Sequence, residues 1–168
     1  TRWWQQRYLD RRVRGGCARE TGSRLMLSRV AERVYWAGRY LERAEDSARL
    51  IDVHGQLLLD LPPNLGVSWP QVMTIMGITD KPVRGGRAAE RDMLKLLLTD
   101  ESCASSLLAT IAMARENFRT TRDIVPTEAW QGINELHIFA RAQLRWAVSK
   151  RRRHDILSDI VARIQQLR

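Results

Sequence analysis

From Val34 to Asp52 the chain reads VYWAGRYLERAEDSARLID, a proline-free stretch in which arginines and glutamates alternate between aromatic and aliphatic residues. That composition favours a long α-helix, and the rest of the chain must pack along it. Ser28 reads as the N-cap of this helix, which is predicted to run unbroken to about Asp60, where Pro62 and Pro63 stop it.

On a 3.6-residue period, Tyr35, Gly38, Glu42, Glu45 and Arg49 fall in one column, with Ala31 and Val53 at its ends. Glu45 precedes Arg49 by one turn, the favourable order for a helical ion pair, and Arg39 can reach Glu42. Two readings stay open. The column is a solvated, charge-laced face, whose pairs contribute only about 0.3–0.5 kcal/mol each. Alternatively it is partly buried, with Gly38 marking the close approach of another helix or a ligand, which would offset the roughly 1 kcal/mol that glycine costs inside a helix.

At 168 residues and 44% hydrophobic content, one domain with a sizeable core is expected. Arg, Leu and Ala dominate, which favours helix over strand. No apolar run approaches the roughly 20 residues of a membrane span. Cys17 and Cys103 show neither CxxC spacing nor paired histidines, so no zinc or redox site is indicated, and Cys103 reads as an inert thiol. With no secretory leader evident, a reducing cytoplasm is the expected location. The net charge of +9 sits at the two ends, +5 over residues 1–25 and +6 over 141–168, leaving the middle at −2. Nucleic-acid binding is therefore disfavoured as the main role.

Residues 1–25 read as a basic extension foreign to the domain, because Met26 directly precedes the helix start. After Pro62-Pro63, a short apolar helix from Trp69 to Met76, bounded by Gly77, is expected to plug the core. Gly85-Gly86 is not a phosphate loop, since no GK[ST] follows it. A third helix spans about Arg87 to Leu98 with Met93, Leu94, Leu96 and Leu97 as its apolar residues, and Asp100, Ser102 or Ser105 can cap the next. There Leu107, Ile111, Ala114, Phe118, Thr121 and Val125 form a seam. Arg115, Glu116, Asn117 and Arg122 lie beside it, the arginines either snorkelling to water or meeting the acidic column. Pro126 in the first turn begins a fifth helix with a seam of Trp130, Ile133, His137, Ala140, Leu144 and Ala147, in which His137 reads as a core histidine. SKRRRH then interrupts, and Ile156, Leu157, Ile160, Val161, Ile164 and Leu167 mark a last helix without a C-terminal cap, as in a chain that stops short. The fold class is all-α, an antiparallel bundle of about five or six helices.

The stretch MLSRVAERVYWAGRYLERAEDSARLIDVHGQLLLDLP, with Trp69, Ser105-Ser106 and AMARENFRTTRDIVPTEAWQGINEL, resembles the alpha-E domain family of bacterial helical proteins. The resemblance covers Met26 to about Leu167, departing where Cys103-Ala104 stand in place of the family's usual Asn-Pro. Family members carry a second Gly-Arg-x-Leu-Glu-Arg-Ala helix in a chain about twice as long, so the resemblance implies an N-terminal portion, residues 26–168, truncated relative to the family. It also implies a link to ATP-grasp-like ligases and transglutaminase-like peptidases, and so to peptide or amide-bond synthesis or modification.

Three functional readings follow. The first is a non-catalytic helical partner in that system, consistent with the lack of a nucleophile, metal or cofactor signature; an apolar surface left exposed would also favour self-association. The second is an enzyme or ligand-binding domain whose polar site gathers Arg39, Glu42, Glu45 and Arg49 with Arg115, Glu116, Asn117 and Arg122. The third, non-specific nucleic-acid binding through the basic ends, ranks last.

Overall fold

The computed structural model describes residues 21–60, 68–78 and 87–167. Expectations for the basic extension up to residue 20, Cys17, Pro62-Pro63 and Gly85-Gly86 lie outside the described residues. Two compact units are distinguished, Thr1–Glu32 and Arg33–Arg168. Of the first, residues 21–32 are described and are helical; the second contains everything that follows. The fold is all-α: among the described residues there are six α-helices, one 3₁₀ turn and no strand.

Helix α1 spans Thr21–Asp60. Ser28, the expected N-cap, lies inside it, because the segment Arg24 to Leu27 holds good helix formers and no breaker. The buried seam of α1 in the second unit is Ala37, Leu41, Ala44, Ala48, Ile51 and Gly55, recurring at spacings of four and three. The charged column lies one residue later along the chain, about 100° around the helix. Of that column only Glu45 is buried; Tyr35, Gly38, Arg49 and Val53 are exposed and Glu42 is half-buried. Gly38 is not a point of close approach, since a Cβ built there meets nothing within 4 Å.

Helix α2, Trp69–Ile75, opens with Ser68 N–H donating to Gln71 Oε1 at 3.2 Å and closes at Gly77, whose φ of 74° is readily available to glycine. There Ile78 N–H reaches the Met73 carbonyl at 2.8 Å, the bond that ends many helices. Trp69, Val72, Met73, Met76 and Ile78 are buried in the main core, so α2 is the plug that its composition suggests.

Helix α3, Arg87–Leu98, buries Met93, Leu94, Leu97 and Leu98, with Leu96 only partly covered. Asp100 and Ser102 do not cap the next helix: Asp100 Oδ1 accepts from Ser102 N–H at 2.9 Å and from its hydroxyl at 2.6 Å, forming a local turn. Nor does Ser105. The cap is fully buried Ser106, whose Oγ accepts from Ala109 N–H at 3.2 Å and begins α4, Leu107–Arg119. The seam expected to continue through Thr121 and Val125 stops being helical at Arg119, because the hydroxyls of Thr120 and Thr121 both donate back to the Asn117 carbonyl, at 2.9 and 3.0 Å.

Pro126 is the N-cap of α5, Thr127–Gln143, rather than a residue of its first turn. Its buried seam is Ile133, Leu136 and Ala140; Leu136 takes the place expected for His137, which is half-buried. A 3₁₀ turn, Leu144–Trp146, leads into α6, Lys150–Gln166. The run SKRRRH therefore supplies the cap position and first turn of the last helix instead of interrupting it. Helices α4, α5 and α6 run antiparallel in succession: Arg115 bonds Asn134, a Cβ on Gly132 would meet Leu167 Cδ2 at 2.5 Å, and Arg163 lies 4.3 Å over Phe139. Helix α1 runs antiparallel to α6, through Glu45–Gln165 and Asp52–His154, and antiparallel to α4, through Arg43–Ser105 and Arg33–Thr120.

Arg153, in the first turn of α6, is 4% exposed. Its Nε and Nη2 donate to the carbonyls of Ala147 and Val148, both at 3.2 Å, and its guanidinium carbon stands 5.1 Å from the Trp69 ring centroid. Burial pushes the guanidinium pKa down, opposed by Glu90 and Asp52. Gly55 makes the seat possible, since a Cβ there would meet Arg153 Nη1 at 2.9 Å. Arg153→Ala is expected to destabilise the domain by about 2–4 kcal/mol in urea unfolding, through two charge-assisted hydrogen bonds and the lost stem packing. A loss under roughly 0.5 kcal/mol, the scale of an ordinary surface substitution, would show that the seat is incidental.

Candidate functional site

A groove of about 380 Å³ runs between α1 and α2. Trp36, Arg39, Tyr40 and Arg43 line it from one side of α1, each pair of like residues one turn apart, and Ile75 and Met76 line it from α2. Its apolar rim is open to water: Ile75 is 70% exposed and Trp36 46%, and beside Trp36 stand Tyr35 at 60% and Val34 at 43%. The rings form a short ladder, Tyr35 edge-on to Trp36 with centroids 5.5 Å apart, and Trp36 tilted against Tyr40 at 6.0 Å. Arg39 pairs with Glu42 across one turn, and Arg43 donates to Ser105 Oγ at 3.3 Å. Charge and exposed aromatic surface therefore meet along one helix.

The remaining polar candidates lie elsewhere. Glu45 is buried, and its Oε1 accepts from Arg49 Nε at 3.2 Å, from Arg49 Nη2 at 2.9 Å and from Gln165 Nε2 at 3.2 Å, a clasp between α1 and α6. Arg115 donates through Nε to Asn134 Oδ1 at 2.6 Å and stands 5.6 Å from the Trp130 ring, while Asn134 returns to the Trp130 carbonyl at 2.9 Å. Glu116 pairs with Arg119 at 2.7 Å, a bond that holds its carboxyl below the usual range. Asn117 Nδ2 donates to the Met113 carbonyl at 2.8 Å. Arg122 stands 3.7 Å from Asp123 on an exposed turn. The eight residues thus divide among the groove, the α1–α6 clasp, the α4–α5 face and that turn. Trp36, Tyr40, Arg43 and Asp46, which line the groove, were not singled out from sequence; the one-turn spacing of Trp36 and Tyr40 beside that of Arg39 and Arg43 is the signal that marks them.

The histidines occupy three environments. His54 is 8% exposed, its ring 4.9 Å from that of Trp69, and burial lowers its pKa against a hydrogen bond that the ring donates to the Ser68 backbone. For half-buried His137 burial again lowers the pKa, helped by Arg115 and Arg141. Exposed His154 is raised by its 2.9 Å bond to Asp52, whose Oδ2 also accepts from Gln56 Nε2 at 3.2 Å. Among the described residues, no three His, Cys, Asp or Glu side chains come together as a metal site, and no helix is long and apolar enough to cross a membrane. Cys103 is a half-buried free thiol.

Over residues 26–168 the sequence matches the family model Alpha-E, described as a predicted alpha-helical domain with a conserved ER motif. Glu-Arg steps occur at Glu32-Arg33, Glu42-Arg43 and Glu90-Arg91, all helical, and Glu42-Arg43 lines the groove. No curated protein and no solved structure matches the chain.

An NMR titration should find His154 above the ordinary imidazole pKa of 6.5 and His54 below it. Because the folded-state pKa of His154 is raised, its pairing with Asp52 adds stability that is fully present below pH 6.5 and is lost as pH rises through the raised value. His54 acts with the opposite sign, withdrawing stability as pH falls below 6.5 and the buried ring is forced to charge. Asp52→Asn should return His154 toward its ordinary value and leave His54 in place. His154 titrating at or below His54 would contradict this assignment.

Proposed function

The chain belongs to the Alpha-E family, and from that premise we propose that it is a non-catalytic helical partner within a bacterial system of peptide or amide-bond synthesis or modification, docking an ATP-grasp-like ligase through the α1–α2 groove. A transglutaminase-like peptidase is the second partner class that the family resemblance supplies. The observation that carries this reading is the ladder of exposed Tyr35 and Trp36 and half-buried Tyr40 beside the Arg39–Glu42 pair. Three large apolar side chains in sequence, Val34 to Trp36, stand between 43 and 60% exposed on a helix that buries small residues elsewhere. Aromatic and arginine side chains are the residue types that dominate binding energy at protein interfaces. A rim of Arg39, Glu42 and Asp46 around them would select a partner by charge while the rings supply the area. A second copy of the chain is the competing occupant of the same face.

The test is association of the purified chain with an ATP-grasp-like ligase, read by light scattering and calorimetry. Trp36→Ala combined with Arg39→Glu is expected to weaken binding by about tenfold or more, the effect of roughly 1.4 kcal/mol, with helical content unchanged by circular dichroism. No complex between the wild-type proteins, or a complex indifferent to this double substitution, would remove the reading. If the chain self-associates and the same substitutions abolish that, the face serves a second copy instead.

A further inference from the structure

A second and larger concavity, about 830 Å³, lies between α3 and the turn that leads into α6, and it shares no lining residue with the α1–α2 groove. Arg91 and Lys95 reach it from α3, Arg145 from the 3₁₀ turn, and Lys150 and Arg151 from the first turn of α6. Against these five cations Glu90 is the one carboxylate in the lining, 3.9 Å from Lys150 Nζ. Lys95 has Asp92 at 3.6 Å. Arg91, Arg145 and Arg151 have no carboxylate within ion-pair distance among the described residues. Beside them Trp146 is 48% exposed, with the guanidinium of Arg145 at 5.1 Å and that of Arg152 at 5.9 Å from its ring.

The first turn of α6 makes this concentration of charge more informative than a basic surface would be. Lys150, Arg151, Arg152 and Arg153 follow one another at the positive end of the helix macrodipole, with no acidic residue in the turn. Cations there are opposed by the helix, whereas an anion is favoured. Ser149 has the extended backbone of an N-cap, but its hydroxyl makes no capping bond; the Arg152 and Arg153 amides donate to its carbonyl at 3.3 and 3.1 Å, which leaves those of Lys150 and Arg151 for another acceptor. The turn is also fixed in place, because buried Arg153 ties it to the carbonyls of Ala147 and Val148. One sequence feature thus loads like charge onto the wrong end of a helix, and the same feature faces a cavity of ligand size.

We propose that this cleft binds a small phosphorylated ligand of nucleotide size, its phosphates held by Arg91, Arg145 and Arg151 at the amino end of α6 and its remaining body lying against Trp146. Arginine forks match phosphate oxygens in pairs, lysine adds a point charge, and phosphate at a helix N-terminus is met by both dipole and amide donors. The gathering of the cations in a concavity separates this from the sequence-independent attraction that a flat basic stripe has for a nucleic-acid backbone.

Calorimetric titration of the full chain with ADP, with inorganic pyrophosphate as competitor, tests the proposal. ADP is expected to bind and pyrophosphate to displace it. Arg91→Glu and Arg151→Glu, made singly, should each weaken ADP binding by about tenfold or more, with far-UV circular dichroism unchanged. Arg122→Glu removes the same charge from an exposed turn outside the cleft and should leave binding as it was. The proposal is overturned if ADP does not bind, if pyrophosphate fails to compete, or if Arg122→Glu weakens binding as much as the cleft variants. A single-stranded oligonucleotide that binds and resists displacement by ADP would likewise overturn it, assigning the charge to a nucleic-acid backbone.

Discussion

The architecture depends on how closely other helices can approach α1. Its buried seam is built mainly from small side chains, Ala37, Ala44, Ala48 and Gly55, with Leu41 and Ile51 between them. Small residues bring helix axes together and leave little slack, so a larger side chain in the seam would displace backbone rather than fill a gap. The tightest point is Gly55, where the Arg153 guanidinium occupies the space of a side chain that is not there. From this seat follow the position of the first turn of α6, the cover over Trp69, and the orientation of α2 against the core.

The same geometry explains which parts of the chain were legible in its sequence. Helices α2 and α3 and the stop at Gly77 follow from apolar periodicity and a glycine suited to positive φ. No buried seam was read along α1, because alanine carries a weak hydrophobic signal and the glutamates beside it a strong one. Gly38 drew attention as a point of close approach, yet that role belongs to Gly55 and Gly132, and only the partners, Arg153 and Leu167, distinguish them. Arg153 was hidden for a related reason. Within SKRRRH four cations look alike, and which one is buried depends on a tryptophan far back in the chain. Boundaries failed where side chains bond to backbone: Ser106 rather than Ser105 caps α4, and Thr120 and Thr121 end it.

The candidate polar residues were legible as residues but not as neighbours. A column on one helix says nothing about what packs beside it, and here Glu42 faces a groove while Glu45, three residues on, is enclosed by Arg49 and Gln165. Identical dipeptides diverge in the same way. Glu42-Arg43 sits in the α1–α2 groove among aromatic rings, and Glu90-Arg91 sits in the cleft of α3 and α6 among cations. A Glu-Arg step is therefore a helical motif whose role is set by its surroundings.

The order of the helices along the chain has a kinetic side. Helices α4, α5 and α6 meet their neighbours across turns of a few residues, from Thr120 to Pro126 and from Leu144 to Ser149. The contacts of α1 with α6 instead close loops of about a hundred residues, 102 between Asp52 and His154 and 120 between Glu45 and Gln165. Loop closure costs entropy before such contacts return anything, so local hairpins form with less delay than distant pairings. The pairings of α1 with α6 are therefore the contacts whose formation costs the most chain entropy, and the C-terminal hairpins those that cost the least.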